Sequence, residues 1–204
     1  MNIIVSLHEA GGRYCFRPDT TLEKESFDYY VPDGIPSLTC CPVLFVRICK
    51  AGKAITERFA GRYFDEGGCG VLLYAEGFPM ASLLDKTSLL PFPLHGKDVL
   101  GSNVFSVNAN GKEIFSTTRE GQKTLQSCIG SLPGILHGIS VYTSLRTGDI
   151  VAVELSRRLP VWNACTIHGN GDNGRQAPCS VPTDTGIALS GMLDGKEIFS
   201  INIR

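Results

Sequence analysis

The chain has 204 residues, 43% of them hydrophobic and 19% charged, which is enough for one globular domain with a full core. Nineteen basic and twenty acidic side chains leave a net charge of −1, and the longest basic run is Arg157-Arg158, which excludes the dense cationic stretch of a typical nucleic-acid binder. No apolar run reaches the roughly 18–20 residues of a membrane-spanning helix, and the opening MNIIVSLHEAGG lacks the basic and long apolar regions of an export signal, so a cytoplasmic protein is expected.

In chain order, Asn2–Leu7 is a short β-branched run and reads as an opening strand. Tyr14–Arg17 and Phe27–Val31 are further short strands, the second closed by Pro32-Asp33-Gly34. Val43–Lys50 is apolar except for Arg47 and predicts a core strand. Ala54–Arg62 predicts a short amphipathic helix, since Ile55, Phe59 and Tyr63 recur every four residues. Cys69–Ala75 predicts a return strand, and residues 77–101, punctuated by Pro79, Pro91 and Pro93, an irregular segment.

Two hairpins follow from their turns. Asn103–Ala109 and Lys112–Thr118 flank Asn110-Gly111, and Gly186–Leu193 and Lys196–Arg204 flank Asp194-Gly195. Asn-Gly suits the positive φ angles of a type I′ turn. Between them, Pro133 suits the first turn of a helix reaching Tyr142, and Arg146-Thr147-Gly148-Asp149 turns into a strand over Ile150–Leu155. Trp162–Pro182 is rich in Gly and Asn and predicts a long loop, an insertion-like segment over 157–182. Many short strands with few helices predict a mostly-β α+β domain, single over 1–204, with a short N-terminal segment over 1–15.

The eight cysteines, Cys15, Cys40, Cys41, Cys49, Cys69, Cys128, Cys165 and Cys179, show no repeated zinc-ligand spacing. Without an export signal they are expected as free thiols, mostly buried as small apolar side chains. Adjacent Cys40 and Cys41 point to opposite faces on an extended strand.

The run from Val43 to Glu76 resembles the fumarylacetoacetate hydrolase family in its broad sense, acylpyruvases and oxaloacetate decarboxylases included. Members carry Glu-x-Glu on a first strand, then a run like RxxxxGKxIxxxFAxRYxDE, then an Asp in a pattern like VGxDFTARD. Here the frame is Arg47, Gly52, Lys53, Ile55, Phe59, Ala60, Arg62, Tyr63, Asp65, Glu66 and Gly70. Phe16-Arg17-Pro18-Asp19-Thr20, Asn108–Phe115, Ser144–Ile150 and Gly191–Arg204 are similar to further segments of the family, in the same order. The resemblance implies a mixed β-roll or barrel of several short sheets, commonly a homodimer, and in active relatives Mg²⁺ or a similar cation on three carboxylates.

At those three positions this chain has Cys41, Val43 and Leu72. A hard dication needs several oxygen ligands, some of them anionic; a thiol and two hydrocarbons do not supply them, so no cofactor is expected. Where the family has a T-G-T-P substrate loop, the chain reads Val153-Glu154-Leu155-Ser156, which sets a carboxylate where an anionic substrate would lie. In place of a lid with His and Glu one helical turn apart stand Leu7-His8-Glu9-Ala10, and Glu76-Gly77 replace an Arg-Asp pair; Lys97 falls near a substrate-binding Lys.

His8 and Glu9 are thus candidates for a water-activating pair or an exposed turn, and Glu154 for a replacement acid or a structural residue paired with Arg157 or Arg158. Cys41 and Cys69 could form a thiol or soft-metal site, or remain inert buried thiols. His168, Asn170 and Asp172 in the long loop match no established ligand pattern, and Asp65 and Glu66 read as helix-end residues. The leading expectation is a scaffold that has lost metal-dependent catalysis and keeps a binding or structural role, as a homodimer or beside a paralogous active subunit. The alternative is a divergent hydrolase, isomerase or decarboxylase of small 2-oxo or β-dicarbonyl acids.

Overall fold

The computed structural model of the chain describes residues 1–8, 12–164 and 186–204. Within them, nine strands form the larger sheet: β1 (Asn2–Ser6), β2 (Tyr14–Pro18), β3 (Leu22–Glu23), β5 (Ser37–Ile48), β6 (Phe64–Glu76), β7 (Ser88–Leu89), β8 (His95–Gly96), β11 (Ile150–Glu154) and β12 (Leu159–Asn163). Its order is β2-β1-β11-β5-β6-β7-β3, with β12 also on β5 and β8 on β6. Five strands form the second sheet in the order β10 (Lys112–Ser116), β9 (Phe105–Ala109), β13 (Ile187–Leu193), β14 (Lys196–Ile203) and β4 (Phe27–Tyr29). The helices are α1 (Glu57–Ala60), α2 (Lys97–Ser102) and α3 (Leu125–Tyr142). This is a mostly-β α+β fold with a near-closed, barrel-like sheet and a second sheet beside it.

The two faces of the larger sheet feed two cores, as the two-residue period of a strand dictates. Cys40, Leu44, Val46, Cys69, Val71 and Leu73 join the main core under α3 and the second sheet. Their alternates Cys41, Val43, Phe45, Leu72 and Tyr74 join a second core with Ile3, Val5, Ile150, Ala152 and Leu90. Cys40 and Cys41 therefore do lie on opposite faces. β5 and β6 form the central hairpin, paired from Ser37↔Glu76 to Ile48↔Phe64.

The hairpin turns at Asn110-Gly111 and Asp194-Gly195 have positive φ at all four residues (49°, 76°, 49° and 76°), as type I′ turns require. Other elements differ from the sequence expectation for identifiable reasons. β5 begins at Ser37 and runs through Pro42, a residue that normally stops a strand. It is tolerated because β11 ends opposite Val43 and β12 begins opposite Cys40, so the missing N–H falls in the gap between two partner strands.

α1 spans only four residues, because Ala54 sits at φ 51° and the chain enters the helix late. Ile55 and Ala60 are buried, while Phe59 is 45% exposed, so the apolar stripe expected there is broken. α3 starts at Leu125, capped by the Thr124 hydroxyl accepting from Ser127 N–H, and Pro133 lies in its interior rather than its first turn. The burial of Leu125, Cys128, Leu132, Leu136 and Ile139 holds the helix across the proline. The segment over 77–101 contains β7, β8 and the start of α2, and the segment over 157–182 begins with β12 rather than loop. The remainder of that segment, with Cys165, His168, Asn170, Asp172 and Cys179, lies outside the described residues.

Candidate functional site

Cys41, Val43 and Leu72 occupy the interior of the larger sheet, and each is fully buried. Cys41 pairs with Leu72 across β5–β6, Val43 with Gly70 on one side and with Glu154 on the other. Register partners in an antiparallel pair share a face, so Glu154 projects into the same interior, continuing the row Ile150, Ala152. Two residues beyond Leu72 the same face presents Tyr74, and on β2 Cys15 and Arg17 lie opposite Val5 and Ile3.

A polar chain crosses this interior. Arg17, only 1% exposed, donates from Nη1 to Thr87 O, Thr87 Oγ1 and Ser88 Oγ, each at 3.1 Å, and from Nη2 to Leu73 O at 2.7 Å. Ser88 Oγ also shares a hydrogen bond with Thr21 Oγ1 at 2.9 Å. The Arg17 guanidinium lies 4.3 Å from the centroid of the Tyr74 ring, and that of Arg158 lies 3.8 Å from it. Tyr74 Oη donates to Glu154 Oε1 at 2.8 Å, and the His8 N–H donates to Glu154 Oε2 at 2.8 Å. Arg158 pairs with Glu76 at 3.2 Å, and Thr39 Oγ1 donates to the same Glu76 oxygen at 2.8 Å.

Burial holds the Tyr74 hydroxyl well above the usual phenol range, countered by Arg17 and reinforced by Glu154. At ordinary pH it is therefore a neutral donor rather than a base. Burial also raises the thiols of Cys41, Cys69, Cys40 (up to about 12) and Cys15, the last partly offset by Arg17. Cys41 Sγ donates to Ser156 O at 3.2 Å. Cys40, Cys41 and Cys69 are fully buried and lack the electropositive, accessible setting that makes a thiolate nucleophile.

Several of the candidate residues land elsewhere than expected, and the physical reasons are plain. Glu154 takes its hydrogen bonds from Tyr74 and His8, while the Arg158 ion pair goes to Glu76; the carboxylate is 5% exposed and each of its oxygens is already engaged. His8 is half-buried rather than exposed, with Nδ1 buried and unpartnered among the described residues, and Glu9 lies outside them. Lys97 opens α2, and its Nζ donates to Gly61 O at 3.3 Å, directed at the loop after α1. Cys41 and Cys69 belong to different cores on opposite faces, so no joint thiol site forms. Asp65 and Glu66 lie at the start of β6, where Glu66 pairs with Arg47 at 3.1 Å.

A divalent cation does not fit this donor set. The three positions offer a buried thiol and two hydrocarbons, and Glu154 and Glu76 are committed to other partners. Among the described residues no group of three His, Cys, Asp or Glu side chains could hold a metal ion. Sequence reasoning missed Arg17, Tyr74, Thr87 and Ser88 as interior residues. Tyr74 was within reach, since it shares the parity of Leu72 on one strand; Thr87 and Ser88 arrive from a segment without a period.

No family model and no curated protein sequence matches the chain. Solved structures do. The fumarylpyruvate hydrolase of Pseudomonas aeruginosa, in complex with Mn²⁺ and pyruvate, superposes with a TM-score of 0.73 at 14% identity, over 100% of this chain and 89% of that one. A protein of Yersinia pestis CO92 described as of the fumarylacetoacetate hydrolase family gives 0.71 at 17% identity, over 100% and 92%. The 5-carboxymethyl-2-hydroxymuconate delta-isomerase of Mycobacterium smegmatis gives 0.69 at 15%, over 99% and 78%. The chain therefore has the fumarylacetoacetate-hydrolase-like fold.

Proposed function

We propose that the chain is a non-catalytic version of this fold, with a binding or structural role in place of metal-dependent chemistry. The observation that carries the reading is the joint burial of Cys41, Val43 and Leu72 in one apolar core. Loss of one ligand could be repaired by a neighbour. Here the neighbouring carboxylate, Glu154, is held by Tyr74 and His8, and the Tyr74 ring with its two guanidiniums takes up the adjoining space. Such a protein would act as a homodimer, or as the partner of a paralogous active subunit, in the cytoplasm.

Calorimetric titration with Mg²⁺ and Mn²⁺, run beside assays of acylpyruvates and oxaloacetate, tests the reading. The expected result is no saturable metal binding and no turnover. Metal binding with turnover overturns it in favour of a second reading, a divergent hydrolase, isomerase or decarboxylase of small 2-oxo or β-dicarbonyl acids. That reading is supported by the fumarylpyruvate hydrolase and muconate isomerase among the structures that share the fold.

A further inference from the structure

Basic residues scattered along the sequence gather at the far end of the β5–β6 hairpin from Glu76 and Arg158. Arg58 lies on α1 and Arg62 just past its C-cap, Gly61; their guanidiniums stand 5.7 and 5.1 Å from the centroid of Phe59, which is 45% exposed. Lys50 Nζ stands 5.6 Å from the Tyr63 ring, and Lys97 reaches Gly61 O. Gly52 bridges antiparallel to Leu145, and exposed Lys53 and exposed Arg146 follow the two bridge residues.

The nearby carboxylates leave most of this charge unmatched. Glu66 pairs with Arg47, Asp65 sits by Cys49, and Glu57 lies against α3 at Gly134. Among the described residues, Lys50, Lys53, Arg58 and Arg62 have no carboxylate partner. Two like charges around one ring repel each other, and an exposed Phe adds apolar surface in water. An anionic partner that also covers the ring would relieve both.

We propose that this face binds an acidic peptide segment of a partner protein, carboxylates on the arginine forks and an apolar side chain on Phe59. A guanidinium already laid over an aromatic ring is oriented for a carboxylate. Nucleic acid is the poorer occupant, because the face offers one exposed ring rather than a row of stacking platforms, and the whole chain carries −1. The face is remote from Cys41 and Glu154, so the proposal stands apart from whether any chemistry survives there.

Fluorescence anisotropy with a labelled peptide of glutamates around one leucine tests it, beside a labelled oligothymidylate of matched charge. The peptide should bind, weaken as salt rises, and lose about tenfold or more in affinity with Arg58→Glu plus Arg62→Glu. Lys196→Glu, on a distant hairpin, should leave binding unchanged. The glutamine pair, Arg58→Gln plus Arg62→Gln, should show an intermediate loss, and circular dichroism should find all variants folded. Absence of peptide binding, equal binding by the double variants, or tighter binding of the oligothymidylate overturns the proposal.

Discussion

The Tyr74 hydroxyl has one acceptor, Glu154 Oε1, and both groups are buried. Tyr74→Phe keeps the ring and its two guanidiniums but leaves the carboxylate oxygen short of a donor. Leaving a buried acceptor without its donor costs about 1–3 kcal/mol, so the urea midpoint of Tyr74→Phe should fall accordingly with the slope unchanged. The buried thiols make a second prediction at this scale. Cys40, Cys41 and Cys69 have raised pKa in the fold, whereas in the unfolded chain they ionise near the ordinary thiol value. Above that value the unfolded state has released protons that the folded state retains, so stability is full below about pH 8.5 and falls as pH rises towards the folded pKa, about 12 for Cys40. Each such thiol steepens the loss by about 1.4 kcal/mol per pH unit. Cys40→Ala should therefore show a shallower alkaline slope in denaturation measured between about pH 8 and 11, and an unchanged slope would mean that Cys40 ionises in the fold.

At the level of elements, close backbone approach decides what the central hairpin can carry. A Cβ on Gly70 would stand 2.2 Å from Leu89 O and 3.1 Å from Leu90 Cδ2. Since the nearer atom is backbone, Gly70→Ala should force β7 off β6, at roughly 1–3 kcal/mol, with faster amide exchange at Leu73, whose N–H bonds to Thr87 O. Normal exchange there would show that the strands shift together. The same hairpin marks how far the elements were legible. The hairpins at Asn110-Gly111 and Asp194-Gly195 depend on two adjacent residues each and were readable at once, the first with its type I′ turn. β5 was readable only from Val43, because the gap that excuses Pro42 is made by β11 and β12, more than a hundred residues away. α3 was readable only after Pro133, because burial of Leu125 and Cys128 in tertiary packing outweighs the proline's cost, and a helical period does not carry that information.

For the whole molecule, the sheet interior is the question. Cys41, Val43 and Leu72 could be singled out from the sequence, since they sit in a frame of neighbours that resembles the family's, and strand parity puts Cys41 and Val43 on one face. What fills the space could not, because Arg17, Tyr74, Ser88 and Glu154 come from four strands and meet only when the sheet closes. Introducing acids at these positions tests the proposed reading, and whether the sealing is a property of the entire interior or of three side chains. In the variant Cys41→Glu, Val43→Glu, Leu72→Asp, three carboxylates would enter a core that holds Glu154 beside Val43. Buried charges without partners are costly, several kcal/mol each, a load comparable with the whole stability of a domain of this size. If the interior has been rebuilt throughout, the triple variant should be unfolded or molten in chelator, and Mn²⁺ should not restore a cooperative thermal transition, because Tyr74 and the two arginines occupy the space beside the site. A folded triple variant whose melting midpoint rises with Mn²⁺ concentration would show instead that the scaffold still forms the cation cage, and that only the three side chains had been exchanged.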